Sequence, residues 1–419
     1  MATGDIRIDA LVEASRTTLA TNHINGTGAV ITYSFLSSAP ASLGVYDFRG
    51  LTDAQKGAVR TMLGEVSTQV GISFKEVTTG GVLQYGTYTG RSGIPSNIES
   101  KAESITDANG SFVWLNWQVP EIANLANGYG KQLVLHETAH SLGLKHPQAY
   151  SGFDSGPYLP DGTATAANTI MAYNGGNTDK LGSYDVIALQ YLYGAPGTPA
   201  PATNAIKVTS ATTIGSYFND TLSLDVNSLS SSVRVQGLTG TDTLSINVAS
   251  STATFQTDLK QFTYTKANGS FAGVYLDSVE RIQFTDKTIA LDIEGNAGQT
   301  YRLYKAAFDR KPDAAGLGYW LNQMDQGASL KTVAEGFVAS NEFTTLNGTN
   351  PTSTQLTTNL YQHVLGRAPD QTGLAYWVAQ LDNRQMSTSE VLMGFAESTE
   401  NKIAVSGQIQ GGIEYVAVS

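Results

Sequence analysis

The chain has 419 residues, which at roughly one domain per 150 residues predicts about two to four domains. Hydrophobic residues make up 41% of the chain, which excludes wholesale disorder, and the formal net charge of −11 argues against nucleic acid and anionic membrane surfaces as partners. There is no cysteine, so disulfides, thiolate metal sites and a cysteine nucleophile are excluded. The start of the sequence has no basic region followed by an apolar run, and no stretch approaches the ~20 apolar residues of a membrane span. We therefore expect neither a signal peptide nor a transmembrane helix.

Residues 1–195 mix strand and helix patterns and are predicted to form one domain, with the N-terminal segment a candidate pro-region. Alternating β-branched and aromatic residues predict strands at Val30–Phe35, Val82–Tyr85 and Phe112–Trp117. Helical spacing of apolar residues predicts helices at Thr52–Val70, Gln132–Leu142 and Ser183–Tyr193. A proline-rich linker, 196–203, ends this domain because proline disfavours helix there.

Residues 204–296 are rich in Thr, Ser and Val in short alternating runs, which predicts an all-β module, either a sandwich or a solenoid. Residues 297–405 read as helical and contain an internal repeat, so they are predicted to form a duplicated all-α module. The two copies share Leu-Tyr, Arg, Pro-Asp, Gly-Leu and Tyr-Trp positions: Leu303, Tyr304, Arg310, Pro312, Asp313, Gly316, Leu317, Tyr319 and Trp320, then Leu360, Tyr361, Arg367, Pro369, Asp370, Gly373, Leu374, Tyr376 and Trp377. We interpret the Tyr-Trp pairs as packing the two copies together, with a ligand-binding aromatic set as the alternative.

A metal-binding pattern lies in the segment from His136 to His146. His136 and His140 are one helical turn apart on the same face, and Glu137 lies beside the first of them, where it can accept a proton from a metal-activated water. Gly143 can end the helix with a sharp turn that brings His146 back as a third ligand. An accidental match is the alternative, but three of the five histidines in the chain occupy the ligand positions. The segment therefore predicts a zinc hydrolase.

A second element follows at Thr169–Gly176, where an apolar entry and a glycine-rich exit predict a buried turn. Met171 in this turn is an ordinary core residue or a support below the metal, and Tyr173 could bring its phenol oxygen toward the zinc.

Together these residues resemble the metzincin clan of zinc endopeptidases, and within it the bacterial serralysins. The likeness lies in Pro147 after the third histidine, in Met171 and Tyr173, and in Tyr184–Ala195. It implies a metzincin-type peptidase domain, so the predicted fold is multidomain α+β: this domain, an all-β module, then a duplicated all-α module. It also implies one catalytic zinc held by three histidines, a switchable tyrosine ligand, and one carboxylate acting as base and then proton donor: His136, His140, His146, Tyr173 and Glu137. The expected enzyme is a monomeric, secreted endopeptidase acting on proteins or peptides.

The C-terminal half departs from the serralysins, which usually carry glycine-rich repeats that bind calcium. Only Gly237–Ser245 approaches such a repeat here. Calcium in such a roll is shared between successive turns, and an isolated copy cannot complete a site. We therefore expect little or no calcium, with an ordinary turn at Asp242, and calcium binding is the alternative. The duplicated helical unit resembles a bacterial domain family of unknown function, and we expect it to serve recognition or attachment.

The C-terminal segment 406–419 resembles the serralysin export tail, acidic and then apolar at Ile413–Val418. We expect export through a type I transporter to the exterior or surface of a bacterial cell, and retention inside the cell when Ser406–Ser419 is deleted. Two alternatives remain: an adhesin with a vestigial peptidase domain, and a narrow processing protease anchored by residues 204–405. The intact Glu137 argues against the first.

Overall fold

The computed structural model describes residues 2–92, 101–152, 154–209, 211–228, 232–256, 260–266, 269 and 271–418. Ser419, at the end of the predicted export tail, lies outside these residues. The chain mixes helices and sheets and divides into two compact units. The first unit is Met1–Ala205 with Ile214–Asp220 and Gly237–Gly240, and the second is Ile206–Thr213, Thr221–Gln236 and Thr241–Ser419. In the described parts of the chain, no helix is both long and apolar enough to cross a membrane.

The first unit is built on a five-stranded sheet in the order β3-β1-β4-β7-β6. β6 lies at one edge and runs antiparallel to β7, whereas the other neighbouring strands are parallel. The elements of this unit are α1 Ile6–Asp9, β1 Ala29–Phe35, β2 Val45–Tyr46, α2 Asp53–Ser67, β3 Ile72–Glu76, β4 Leu83–Tyr88, β5 Gly90–Arg91, β6 Ala102–Asp107, β7 Gly110–Asn116, α3 Gly128–Ser141 and α4 Ser183–Tyr193.

The predicted helices and strands of this region are confirmed, with shifted ends. Helix α2 begins after Thr52, whose hydroxyl accepts from the Gln55 backbone N–H in a capping box, and buries Val59, Met62 and Val66 in the core of the first unit. Helix α3 packs against β6 and β7 and starts before the predicted Gln132. The sheet therefore holds α3 along its length, with the edge strand β6 beside it.

The N-terminal segment of the first unit supports the chain just beyond α3. The Glu13 N–H donates to the Gly143 carbonyl at 2.8 Å, and the Lys145 N–H donates to the Leu11 carbonyl at 2.7 Å. Further on, the Leu19 N–H donates to the Ser141 carbonyl at 2.9 Å. These bonds make the segment, predicted as a candidate pro-region, a structural neighbour of the chain that leads to His146.

The β-rich part of the second unit has two sheets, and the chain passes back and forth between them as it adds strands to each. One has the order β18-β17-β16-β12-β10-β8 and the other β13-β14-β15-β11-β9. Parallel pairing of β10 with β12, of β12 with β16 and of β11 with β15 favours the solenoid over the sandwich. The strands are β8 Asn204–Lys207, β9 Thr212–Ile214, β10 Asp220–Leu224, β11 Val233–Gln236, β12 Thr243–Ile246, β13 Ala253–Phe255, β14 Gln261–Thr265, β15 Phe271–Asp277, β16 Arg281–Gln283, β17 Thr288–Ala290 and β18 Ile413–Tyr415.

Eight helices follow, four in each copy of the repeat. They are α5 Asn296–Phe308, α6 Ala314–Asp325, α7 Leu330–Val338 and α8 Asn341–Asn347, then α9 Ser353–Leu365, α10 Gln371–Asp382, α11 Thr388–Ala396 and α12 Thr399–Ile409. The repeated aspartates, Asp313 and Asp370, cap α6 and α10 by accepting from the Gly316 and Gly373 backbone N–H groups. The repeated positions therefore include residues that start the second helix of each copy.

Packing of the repeated aromatic residues corrects our interpretation of them. Trp320 packs edge to face on Phe337 at 5.2 Å, and Trp377 packs on Phe395 at the same distance, each within its own copy. Their neighbours Tyr319 and Tyr376 are exposed. The two copies instead meet through α7 and α11, with α5 packed against both. Each tryptophan thus packs on an aromatic residue of its own copy, against one hydrophobic core that both copies share.

Candidate metal centre

Helix α3 and the turn after it bring the three predicted ligands together. His136 and His140 project from one face of α3, which ends at Ser141, and the chain turns at Gly143 with φ +111°. A Cβ atom at this glycine would lie 2.9 Å from the Ala20 Cβ, so the turn has no room for a side chain. After the turn, the His146 Nε2 lies 3.3 Å from the His136 Nε2 and 3.2 Å from the His140 Nε2.

The opposite ring nitrogen of each histidine is held by an acceptor. The Nδ1 atoms of His136 and His140 lie 2.9 Å from the carbonyl oxygens of Ile170 and Leu144. The His146 Nδ1 lies 2.7 Å from Oδ1 of Asp154. A carbonyl or carboxylate oxygen can only accept, so each Nδ1 carries the proton and each neutral ring keeps an Nε2 lone pair. The three Nε2 atoms that keep a lone pair are the same atoms that lie close together in the cluster.

The electrostatics of the cluster favour neutral imidazoles. Burial lowers the pKa of His136 to about 4 and lowers the pKa of His140 well below its usual value. Burial also lowers the pKa of His146, although the hydrogen bond to Asp154 opposes it. Metal ligation requires neutral histidine, and three imidazole nitrogens are a common donor set for catalytic zinc. The residues present fit a zinc ion.

Glu137 is buried beside this cluster. Ser104 of the edge strand β6 lies near its carboxyl group, and burial raises the pKa of Glu137 to about 8. A cation at the histidine cluster would favour the carboxylate form, because opposite charges stabilise each other at short range. Glu137 is therefore placed to exchange a proton at the site.

A buried turn lies beside His136, and its anchor is Asp185 in α4. The Asp185 side chain is fully buried and accepts from the Thr169 hydroxyl and from the Ile170 and Gly182 backbone N–H groups, the last two at 2.7 Å. Met171, also fully buried, belongs to the core of the first unit. The same turn supplies the Ile170 carbonyl that holds His136, so Asp185 acts on the cluster through the backbone.

Tyr173 lies over the histidine rings. Its ring centroid is 4.8 Å from that of His146 and 5.7 Å from that of His136, and the Tyr150 ring stacks on it at 4.5 Å. Although 61% of the residue is exposed, desolvation, with a smaller effect of the Glu137 charge, raises the pKa of Tyr173 to about 12. Its hydroxyl is therefore protonated at neutral pH and can donate a hydrogen bond.

Curated relatives of the chain are bacterial metalloproteases. The metalloprotease AprA of Pseudomonas entomophila (strain L48) is 29% identical over 203 residues, which cover 41% of each chain. Serralysin G of Dickeya chrysanthemi is 30% identical over 194 residues, covering 41% of this chain and 40% of the relative. The serralysin of Photorhabdus sp. (strain Az29) is 28% identical over 193 residues, covering 40% of this chain and 39% of the relative.

The chain resembles the serralysin metalloproteases. It spans about two fifths of the length of these relatives. A model of a domain of unknown function, DUF4214, matches residues 300–347 and 334–405. The helical repeat therefore matches a domain family whose function is unknown.

Several residues of this site were not predicted from sequence. Tertiary structure alone brings three of them to the predicted residues: Asp154 to His146, Tyr150 to Tyr173, and Ser104 of the edge strand to Glu137. Asp185 had a visible signal, because an acidic residue in the first turn of a helix is typical of a cap. His23 lies outside the cluster, between Tyr193 and Phe218, with its Nε2 3.0 Å from the Thr27 carbonyl oxygen. His23 is therefore a buried core residue.

Proposed function

We propose that the chain is a zinc-dependent endopeptidase, with His136, His140 and His146 as the metal ligands. The observation that carries the proposal is the convergence of three neutral imidazole nitrogens within 4.8 Å of one another. Two of them come from α3, the helix that also carries Glu137, and the third comes from His146 after the turn. The resemblance to serralysins supports the same chemistry.

Zinc, Glu137 and Tyr173 have different roles in this proposal. Bound zinc supplies Lewis-acid chemistry and lowers the pKa of a water molecule. Glu137 accepts the proton of the attacking water and passes it to the nitrogen of the departing amine. The Tyr173 hydroxyl, which is protonated at neutral pH, donates a hydrogen bond to the oxygen on which negative charge develops.

The substrate is proposed to bind as an extended peptide along β6. This strand is at the edge of the sheet, and its Ser104 contacts Glu137. Within the described ranges, which omit 93–100, no further strand pairs with the outer side of β6. An edge strand offers a row of backbone hydrogen-bonding groups to an incoming peptide, so recognition would depend mainly on the substrate backbone.

The proposal predicts that protein digestion depends on zinc. The purified chain should bind one zinc ion by metal analysis and digest casein. A chelator should abolish digestion, and added zinc should restore it. Digestion that continues after the zinc has been removed would refute the proposal, and zinc binding without digestion of any protein tested would favour the adhesin or the narrow processing protease.

Secretion through the C-terminal tail is the second part of the proposal. The tail is not free of the second unit, because β18 pairs with β17 and the Val416 N–H donates to the Ala314 carbonyl at 3.0 Å. Deleting residues 406–419 would also remove the buried side chains of Ile409 and Ile413. Such a deletion therefore tests folding as well as export.

A sharper test changes only exposed side chains of the tail. Val416 and Val418 are 58% and 51% exposed, so replacing both with serine leaves the buried core of the second unit intact. We expect the double variant to accumulate inside the expressing cell. The matched control is Ile403→Ser, which removes an exposed apolar side chain of α12 and should be exported normally. Normal export of the double variant would contradict the proposed role of the tail.

A further inference from the structure

We propose that Asp154 is a positioning residue that makes His146 the most firmly held of the three zinc ligands. The inference rests on the zinc site of the proposed function and adds an order among its ligands. Asp154 touches no reacting atom in this proposal and acts only through the imidazole of His146.

The three ligands differ in what holds their second ring nitrogen. His136 and His140 each face a neutral backbone carbonyl, whereas His146 faces the charged carboxylate of Asp154 at 2.7 Å. The Asp154 side chain is only 6% exposed, so little water competes for this bond. A carboxylate partner fixes the orientation of a histidine and raises its basicity as a ligand more than a neutral partner does.

The ligands also differ in what supports their backbone. His136 and His140 are positioned by α3, so their separation is set by helical geometry. His146 comes from the chain after the helix and lies in no helix or strand. A third ligand of this kind needs a separate restraint, and the bond to Asp154 supplies one.

Asp154 is itself held by neighbouring residues. The Asp154 Oδ2 accepts from the Ser151 backbone N–H at 2.6 Å, and the Asp154 carbonyl accepts from the Tyr158 hydroxyl at 3.0 Å. The buried ammonium group of Lys145 donates to the Pro157 carbonyl at 2.9 Å and also to the Ser155 carbonyl. One carboxylate oxygen therefore holds the loop and the other holds the ligand.

The experiment compares zinc binding by the unchanged chain and by Asp154→Asn, which has nearly the same shape. Asparagine must present its NH₂ group either to the His146 Nδ1–H or to the Ser151 N–H, so one bond becomes a clash of donors. We expect zinc affinity, measured by competition with a chromogenic chelator, to fall about 10- to 100-fold, with faster zinc release. Asp161→Asn, an exposed aspartate further along the chain, is the control and should leave both quantities unchanged.

A double-mutant cycle separates positioning from a general structural effect. On a His146→Ala background, Asp154→Asn should change zinc affinity less than about 2-fold, because the residue that it acts through is gone. Wild-type zinc release by Asp154→Asn, or an undiminished effect on the His146→Ala background, would overturn the proposal. Failure of the wild-type chain to bind zinc would instead refute the proposed function itself.

A folding control keeps the test decisive. Thermal unfolding of the metal-free proteins should give similar midpoints for wild type and Asp154→Asn. If Asp154→Asn does not fold, Asp154→Glu replaces it, because this variant keeps the charge and misplaces the carboxylate. Zinc release faster than wild type in that variant supports the inference, and unchanged release contradicts it.

Discussion

Replacing Glu137 with glutamine is expected to lower kcat/KM for peptide cleavage by about 100- to 10,000-fold, the usual contribution of a general acid or base. Glutamine has nearly the same shape as glutamate but cannot accept a proton from water. Glu137 is not one of the residues that converge at the cluster, so zinc content should stay at the wild-type level. The measurement pairs a fluorogenic peptide assay with metal analysis of the same sample.

The control for this prediction is Glu121→Gln, which removes an exposed carboxylate outside the site and should leave kcat/KM unchanged. Wild-type activity of Glu137→Gln would show that another group accepts the proton. Loss of zinc together with activity would instead show that Glu137 supports metal binding.

Replacing Asp185 with alanine is expected to lower the free energy of unfolding by about 3 kcal/mol, since each buried donor left without a partner costs about 1–3 kcal/mol. The change removes the acceptor for the Thr169 hydroxyl and for the Ile170 and Gly182 N–H groups. Because the same turn presents the Ile170 carbonyl to His136, zinc affinity should fall as well. Denaturant titration of the metal-free protein measures the first effect, and chelator competition measures the second.

The pH dependence of stability gives this prediction a second signature. Burial raises the pKa of Asp185 from 3.8 to about 6, so between these values the folded protein binds more protons than the unfolded chain. The contribution of this group to stability therefore decreases as the pH rises through that window, and the decrease should be absent in Asp185→Ala. Asp161→Ala, the exposed control, should show the same decrease as wild type.

A free energy of unfolding of Asp185→Ala within about 0.5 kcal/mol of wild type would contradict the anchoring role, because changes of that size are usual for surface substitutions.

The sequence predicts the centre of the site well because the relevant distances are local. His136 and His140 are one helical turn apart, and the required turn at Gly143 follows from its lack of a Cβ atom. Helices α2 and α4 are also predictable from the sequence. The spacing of their apolar residues and the threonine or glycine before their first turn are signals that involve only neighbouring residues.

Contacts between distant segments could not be predicted in the same way. Whether Asp154 meets His146 depends on the whole path of its loop, and which carbonyl holds His136 depends on a turn anchored from α4. In the β-rich region each short strand has the same alternation whichever of the two sheets it joins, so the sequence cannot distinguish sandwich from solenoid. The misinterpretation of Trp320 has a similar cause, because a repeated aromatic residue packs equally well within a copy or between copies.

The hydrogen bonds that join Leu11 and Glu13 to Lys145 and Gly143 make the metal site sensitive to a cut in the N-terminal segment. A cut before Leu11 leaves both bonds in place. A cut after Glu13 frees the backbone that leads directly to His146, the one ligand that α3 does not carry. If the proposed function holds, cleavage at that point would therefore inactivate the protein by loosening the metal site while all three ligands remain in the chain.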